Sequence, residues 1–368
     1  MPISAIDTIN LAVEHTKQQL FKPFRFGQWT KLALVGLLAG ELSSGGGFNG
    51  SNFHLPRHPG TSPHSVTPNF SGIDPALLIA LISVIVIGAL VFGIVLMYVS
   101  SVMRFVLFDS ILAKECRVGR SWSLRQGPGW RYFLWKLLYL FVMIAGIVTL
   151  IGVPAAFAFG LGWLRQPKEH LLPLLLGGIV LFFVFAAFVI LMAVIFVLTK
   201  DFVVPQMALE NIGAIEGWQR LWPMIEAEMG GYAGYIGMKI LMAIGAGIVF
   251  GIATVILGLI VAIPTVGLSV IAVITGKTAG LTWNAYTITL AVVVGSILLA
   301  GFLYLVALIS VPVIVFFPAY SIYFFAARYP RLSAALYPAS APATPLIPSG
   351  LPFPPPPPPL PPTADPIG

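Results

Sequence analysis

Five uninterrupted apolar runs constrain this chain more than any other feature of its sequence. None of them contains Asp, Glu, Lys, Arg or His, and each exceeds the length of about 20 residues that a helix needs to cross a bilayer. Only 9% of the residues are charged, whereas about 25% is usual for a soluble domain. The sequence therefore predicts an all-α integral membrane protein. The runs cover residues 75–103, 137–164, 171–199, 240–276 and 278–327.

We predict about six transmembrane helices from these runs, because a shorter apolar stretch over residues 26–42 adds a first span. Pro264 is expected to end the fifth span, which leaves 265–286 as a semi-apolar loop or re-entrant segment. The sixth span covers 287–325 and is expected to be interrupted at Pro312 and Pro318. Eight spans are the alternative, if the two longest runs each fold back.

The segment before the first span predicts an amphipathic helix over residues 4–20. Ile6, Ile9, Val13 and Leu20 would form its apolar face. Glu41 lies near the far end of the first span and is expected at the opposite membrane interface. The Gly-, Ser-, Pro- and His-rich segment 43–73 is typical of a flexible outer loop.

Residues 105–136 predict a surface helix, a basic link and the mouth of a span. The surface helix would cover 105–115, and Gly127, Pro128 and Gly129 would break the chain before the next helix. Basic residues accumulate here near one interface, with only Asp109 and Glu115 against them. We expect this basic collar to bind anionic lipid headgroups. Its members are Arg104, Lys114, Arg117, Arg120, Arg125 and Arg131.

An internal repeat is indicated by three lysines, each of which opens an apolar span. Lys31, Lys136 and Lys239 are separated by 105 and 103 residues. The third unit again places an amphipathic segment before its span, with Ile215, Trp218, Trp222, Ile225 and Met229 spaced by 3 or 4 residues and Glu216 four residues before Arg220. We therefore predict three units of a cytoplasmic amphipathic helix plus a helical hairpin, over residues 1–103, 104–199 and 200–335.

The distribution of basic residues predicts the orientation. With six spans, sixteen of the twenty Lys and Arg residues fall on one side and four on the other, so the positive-inside rule places both termini in the cytoplasm. The remaining residues, 336–368, form a proline-rich tail with fourteen prolines from position 338 onward. Such a tail is expected to be disordered, and a docking motif for a proline-binding module is the alternative.

Signatures of catalysis, cofactors and metals are lacking. The chain has no Gly-rich phosphate loop, no GxSxG and no HExxH motif. His54, His58 and His64 share the outer loop, but prolines intervene and the spacing is loose for a metal site. Asp109, Glu115, Asp201 and Glu210 are expected on solvated helix faces, and the single cysteine, Cys116, near the interface. We expect no enzyme activity, no cofactor and no metal. The net charge of +7 lies beside apolar spans, which indicates lipid contact and argues against nucleic-acid binding.

Small residues at four-residue intervals mark one face of the fifth span. Ala243, Gly247 and Gly251 would let a neighbouring backbone approach closely. The sequence predicts a helix-packing seam there, within the chain or with a second copy.

A family resemblance rests on two related stretches. Residues 104–109 with Ser121 and Trp122, and residues 200–205 with Gly217 and Trp218, are each followed by a glycine and a span. With the closing stretch 316–321, they resemble uncharacterised bacterial polytopic membrane proteins similar to the membrane domain attached to some glycerophosphodiester phosphodiesterases. The resemblance implies a multi-pass protein of the bacterial inner membrane. It brings no catalytic residues, because the phosphodiesterase domain is not present.

Two functions are open from the sequence. The first is a non-catalytic scaffold or accessory subunit whose cytoplasmic helices or tail contact protein partners. The second is a transporter or permease-like protein for a neutral or amphipathic solute, since repeats are common in transporters. The charge-free spans favour the first, because coupled carriers usually need ionisable groups within the membrane.

Overall fold

The chain is mostly helical within the residues that the structure, a computed structural model, describes: 4–41, 75–163, 168–278, 280 and 285–337. No strand occurs within these ranges. Two π-helical turns, Val148–Gly152 and Thr199–Val203, interrupt the α-helices. The α-helices are α1 (Asp7–Phe21), α2 (Phe26–Ala39), α3 (Pro75–Leu112), α4 (Val118–Ile147), α5 (Val153–Gly160), α6 (Leu171–Leu198), α7 (Val204–Glu210), α8 (Ala214–Ala227), α9 (Met229–Thr278), α10 (Ala285–Ala326) and α11 (Pro330–Leu336).

Five candidate spans are long and apolar enough to cross a membrane, which confirms a multi-pass helical membrane protein. The count of six is not confirmed. The first predicted span corresponds to α2, whose 14 residues are fewer than the about 20 that a crossing needs. The five candidates are Ile79–Leu112, Val118–Gly160, Leu171–Glu210, Met229–Gly276 and Tyr286–Ala326.

Prolines inside the long helices do not end them, so the predicted break after Pro264 is wrong. The helix α9 continues through Pro264 to Thr278, and α10 continues through Pro312 and Pro318. A proline removes one backbone hydrogen bond, and a membrane helix tolerates this loss where nearby hydroxyls supply partners.

The predicted surface helix over 105–115 is also wrong. Residues 105–112 are the last turns of α3, and Phe105 and Val106 are fully buried. The expected break at residues 127–129 lies inside α4, which begins at Val118. Glycine is required at 129 because a β-carbon there would come within 2.7 Å of the Val102 side chain. The close contact of α3 with α4 therefore uses this glycine.

Most of the buried residues lie at one end of the long helices. The ends of α3, α6 and α10 nearest Leu112, Leu198 and Ala326 are largely buried, and one face at the start of α9 is buried at Tyr232, Tyr235 and Lys239. The opposite apolar stretches are exposed along most of their length. The short helices α1, α2, α7, α8 and α11 pack around the buried ends. We call this packed region the helical base. The exposed apolar stretches are the surfaces that fit lipid.

The helix α1 buries a different face from the one predicted. Ile6 is exposed, and the buried face carries Thr8, His15 and Gln19 together with Leu20. These polar side chains are hydrogen-bonded inside the base: Gln19 donates to the carbonyl oxygen of Ser110 at 3.0 Å. Hydrophobic periodicity missed this face because the helix docks on a polar part of the base.

The helix α8 matches the amphipathic segment predicted before the third unit's span more closely than α1 matches its own prediction. It covers Ala214–Ala227 and keeps Pro223 inside, and the predicted ion pair of Glu216 with Arg220 is present at 2.5 Å. Its predicted apolar face is only partly buried. Trp218 packs against the core, whereas Ile215 and Trp222 are exposed.

Candidate functional site

Five charged side chains from separate parts of the chain meet inside the helical base. Glu41 follows α2, Arg104 belongs to α3, and Lys239 belongs to α9. Lys200 and Asp201 lie in the π-helical turn between α6 and α7. Their exposed fractions lie between 1% and 8%. We call these five residues the charge cluster.

Glu41 connects α2 to two other helices. Its Oε2 accepts a hydrogen bond from Nζ of Lys200 at 2.7 Å, and its Oε1 is paired with the guanidinium of Arg104. The Arg104 guanidinium also donates to the carbonyl oxygen of Lys200 at 3.4 Å. The end of α2 is thus fixed to α3 and to the end of α6.

Asp201 is the second carboxylate of the charge cluster. Its Oδ2 is paired with the ammonium group of Lys239 and accepts a hydrogen bond from the Tyr235 hydroxyl at 3.0 Å. Nη2 of Arg104 lies 3.8 Å from Oδ1 of Asp201. Because Arg104 contacts both carboxylates, the two groups of ion pairs form one network.

The π-helical turn explains how two consecutive residues reach different helices. Its extra residue changes the directions of the side chains locally, and such turns often occur at functional positions. Lys200 contacts Glu41 beside α2, and Asp201 contacts Lys239 on α9. The Thr199 hydroxyl donates to the carbonyl oxygen of Ile195 at 2.7 Å and accepts from the Trp218 indole at 2.9 Å. This bond fixes the turn to α8.

Two buried tyrosines flank the charge cluster in matching positions. Tyr132 and Tyr235 each precede a lysine by four residues, and each lysine lies over the ring of its own tyrosine, at 4.9 Å for Lys136 and 5.8 Å for Lys239. Tyr132 packs edge-to-face on Phe105. Such contacts favour the cationic forms of the lysines in an apolar setting.

The numbers of basic and acidic side chains in the charge cluster determine its net charge and its structural role. It contains three cations and two carboxylates, so it carries a net positive charge in a buried place. Charges buried without partners cost several kcal/mol, and removing one member of a buried pair typically costs about 3–5 kcal/mol. The arrangement therefore holds four chain segments together and leaves a positive field beside it.

The predicted positions of the acidic residues need correction. Glu41 is buried in the charge cluster, not exposed at an opposite interface, and Asp201 is buried as well. Glu210 belongs to a second ion-pair group with Arg220 and Arg331 in the base. Glu115, by contrast, is exposed as expected. Sequence reasoning counted charges within each apolar run and so missed those just beyond its ends.

Members of the predicted basic collar have different surroundings. Arg104 is buried in the charge cluster and does not face a headgroup region from the surface. Arg125 forms a two-point ion pair with Asp109, with both bonds at 2.7 Å. Lys114 donates to Gln18 at 2.9 Å, and Arg117 pairs with Glu115 at 2.9 Å.

The last two members of the collar, Arg120 and Arg131, are exposed. Arg131 donates to the backbone oxygen of Asn211. Lipid binding by the basic collar stays a prediction for Lys114, Arg117, Arg120, Arg125 and Arg131, because Arg104 is buried.

The small-residue seam remains a prediction too. Ala243, Gly247 and Gly251 are half-buried along α9. A β-carbon added at Gly251 would have no described heavy atom within 4 Å beyond its own helix turn. No close partner of Gly251 therefore lies in the described part of the chain.

A cleft of about 480 Å³ lies between α6 and α9, next to the charge cluster. Lys200 and Lys239 are its charged lining residues, and the other residues that line it are apolar or glycine. Ile190 and Val194 come from α6, and Ile240 follows Lys239 on α9. The site thus combines two cations with an apolar wall, and no pattern along the chain indicated it.

No group of three or more His, Cys, Asp or Glu side chains suited to a metal occurs among the described residues. His54, His58 and His64 lie outside them, as do the whole predicted outer loop, 43–73, and the tail from residue 338 onward. Two buried groups outside the candidate spans have shifted pKa values. Burial lowers the pKa of His15 to about 4, and burial raises the pKa of the Cys116 thiol.

One family model matches the chain over residues 3–335, nearly its whole length: the Family of unknown function (DUF7544). No curated protein matches the chain. No solved structure matches it either. The comparisons give no support to the resemblance to the membrane domain attached to some phosphodiesterases.

Proposed function

The chain belongs to this family of unknown function, and we propose from its own residues that it is a non-catalytic integral membrane protein acting as a scaffold or accessory subunit. The charge cluster carries this proposal. Its five charged groups are occupied with one another across four helical segments, which supports a structural role for them. The base then presents its short helices, above all α8, to a partner at the membrane surface.

The exposed part of α8 is the surface that we propose for the partner. Ile215 and Trp222 are exposed there, beside the ion pair of Glu216 with Arg220. An aromatic side chain with a polar rim is typical of interface centres. The same surface would also fit the interfacial region of the bilayer.

A partner can be tested by crosslinking in native membranes. A photoreactive residue at Trp222 should give a defined crosslinked product, which Ile215→Glu should abolish without changing the melting temperature of the purified chain. A photoreactive residue at exposed Phe141 on α4 serves as the control for random lipid-phase encounters. Products from both positions in equal yield, or none from Trp222, would contradict the scaffold proposal.

For the localisation we propose the bacterial inner membrane with both termini in the cytoplasm. The helices near the two termini, α1 and α11, both pack in the base, which supports one side of the membrane for both termini. The sixteen-to-four distribution of basic residues, counted for six spans, supports the cytoplasm as that side. Cys116, the single cysteine, provides the test. An impermeant maleimide should fail to label it in intact spheroplasts and should label it slowly after permeabilisation, because the thiol is only 7% exposed. Rapid labelling from outside would invert the orientation.

The threefold repeat remains part of the proposal. The matching contacts of Tyr132 with Lys136 and of Tyr235 with Lys239 support a relation between the second and third units. The pair of Tyr132 and Lys136 precedes the pair of Tyr235 and Lys239 by 103 residues in the sequence.

A second candidate function, transport of an amphipathic solute, is favoured by the cleft between α6 and α9. Proteoliposomes containing the purified chain provide the test. On the scaffold proposal, they should move a fluorescent amphiphile no faster than protein-free liposomes. Movement that Lys239→Gln abolishes would replace the scaffold proposal with the transporter.

A further inference from the structure

We propose that the cleft between α6 and α9 binds an anionic membrane lipid, with the headgroup at Lys200 and Lys239 and an acyl chain along the apolar wall. The inference does not depend on the scaffold proposal, since a scaffold and a transporter could both hold such a lipid. The inference rests on the charge of the cleft, its apolar wall, the depth of its two lysines in the membrane and its volume.

The charge of the site favours an anionic headgroup. The charge cluster brings three cations together with two carboxylates, and two of these cations, Lys200 and Lys239, line the cleft. An ammonium group has three N–H donors in different directions, so Lys239 can bind a headgroup oxygen while it keeps its bond to Asp201. A phosphate there would offset the excess positive charge in a place with little water.

The wall of the cleft favours a hydrocarbon chain. Ile190 on α6 and Ile240 on α9 are 63% and 55% exposed, so the cleft opens to the surface that faces lipid. Val194 and Ala243 continue this wall. A lipid can therefore enter sideways from the bilayer, and its chain would cover apolar side chains that the protein leaves open.

The depth of the two lysines matches that of a headgroup. Twenty-nine residues separate Pro75 from Arg104, and twenty-nine also separate Leu171 from Lys200. At 1.5 Å per residue both distances are about 44 Å. A bilayer is about 40–45 Å thick including its headgroup regions. If α3 and α6 begin at one interface, the charge cluster reaches the headgroup level of the other.

The size of the cleft fits a headgroup and part of a chain. Its volume of about 480 Å³ falls within the range of about 300–1,000 Å³ that is usual for small-molecule sites. A choline headgroup would bring a further cation to a site that already has an excess of them. We therefore expect phosphatidylglycerol to bind better than phosphatidylcholine.

Native mass spectrometry of the purified chain in a nonionic detergent tests the proposal. The probes are phosphatidylglycerol, phosphatidylcholine with the same acyl chains, and inorganic phosphate. Ala243→Phe fills the cleft and leaves every charge in place, whereas Lys239→Gln removes one cation and keeps a donor for Asp201. Ala262→Phe, an exposed site on the same helix, is the matched control.

We expect a single phosphatidylglycerol molecule to bind at least about tenfold more tightly than phosphatidylcholine. Ala243→Phe and Lys239→Gln should each weaken this binding about tenfold or more, and Ala262→Phe should leave it unchanged. The melting temperatures of Ala243→Phe and Lys239→Gln without lipid control for misfolding. Equal binding of the two lipids, or equal losses at Ala243 and Ala262, would overturn the proposal. Inorganic phosphate that binds as tightly as phosphatidylglycerol and ignores Ala243→Phe would also overturn it, because the ligand would then be a free anion.

Discussion

Replacing Asp201 with Asn should destabilise the chain more than any loss of a surface charge. The substitution keeps the shape of the side chain and an oxygen that can accept from the Tyr235 hydroxyl. It removes the charge that faces Lys239 and Arg104, so the charge cluster changes from three cations against two carboxylates to three against one.

The magnitude follows from the burial of these groups. All have exposed fractions below 10%, so water cannot replace the lost carboxylate charge. Breaking a buried ion pair from one side costs about 3–5 kcal/mol. For a chain of 368 residues, whose unfolding entropy is about 2.1 cal/mol/K per residue, that corresponds to a melting temperature lower by about 4–6 °C. Thermal unfolding in a mild detergent, followed by tryptophan fluorescence, measures it.

Two further variants separate a charge effect from a packing effect. Asp201→Asn combined with Lys239→Gln restores the original net charge, so it should cost less than the sum of the two single changes, by about 1–3 kcal/mol. Glu115→Gln breaks an exposed ion pair with Arg117 and should have little effect. If Asp201→Asn is no worse than Glu115→Gln, the charge cluster does not hold the base together, and the reasoning fails.

Three other changes test separate parts of the structure. Burial lowers the pKa of His15 to about 4, so the unfolded chain binds a proton before the folded chain does as the pH falls below about 6.5. The free energy of unfolding should therefore drop by about 3 kcal/mol toward pH 4. In thermal melts at several pH values, His15→Gln should remove this contribution to the pH dependence. Gly36→Ala should lower stability by about 1–3 kcal/mol, because its β-carbon would overlap the side chain of Ile314, whereas Gly27→Ala, on the same helix with open space around it, should not. Gly251→Leu should leave the melting temperature unchanged at high dilution and alter only self-association by crosslinking, since nothing described in the chain lies against that glycine.

The extent of the helices was largely predictable from the sequence, because lipid exposure demands long apolar runs. The predicted span 171–199 corresponds closely to α6, Leu171–Leu198. The ends of the helices were harder to predict. Pro264 and the glycines beside Pro128 indicate breaks in a soluble helix, yet tertiary contacts and the lack of competing water keep both helices intact.

The charge cluster could not be predicted from spacing along the chain. Glu41 and Lys200 are 159 residues apart, and each lies at the end of an apolar run, where a solvated position is the ordinary expectation. Only the packing of α2 against α3 and α10 brings Glu41 inside. The paired Tyr and Lys residues four apart, at 132 and 136 and at 235 and 239, were the one available signal of a shared environment.

The position of the charge cluster also accounts for the contrast between the two ends of the long helices. Helices in hydrocarbon gain little from apolar burial, because lipid tails are as apolar as leucine. Burial within the chain is absent from the most apolar 18-residue stretch of four candidate spans and reaches only 11% in the fifth. The specific contacts are therefore concentrated in the base, where ion pairs and stacked aromatic rings can supply them. Spans that contact one another only at the base leave gaps between their apolar stretches. The cleft between α6 and α9 is such a gap, and Lys200 and Lys239 of the charge cluster line it. Filling it with a lipid would stabilise the apolar stretches without any further protein contact.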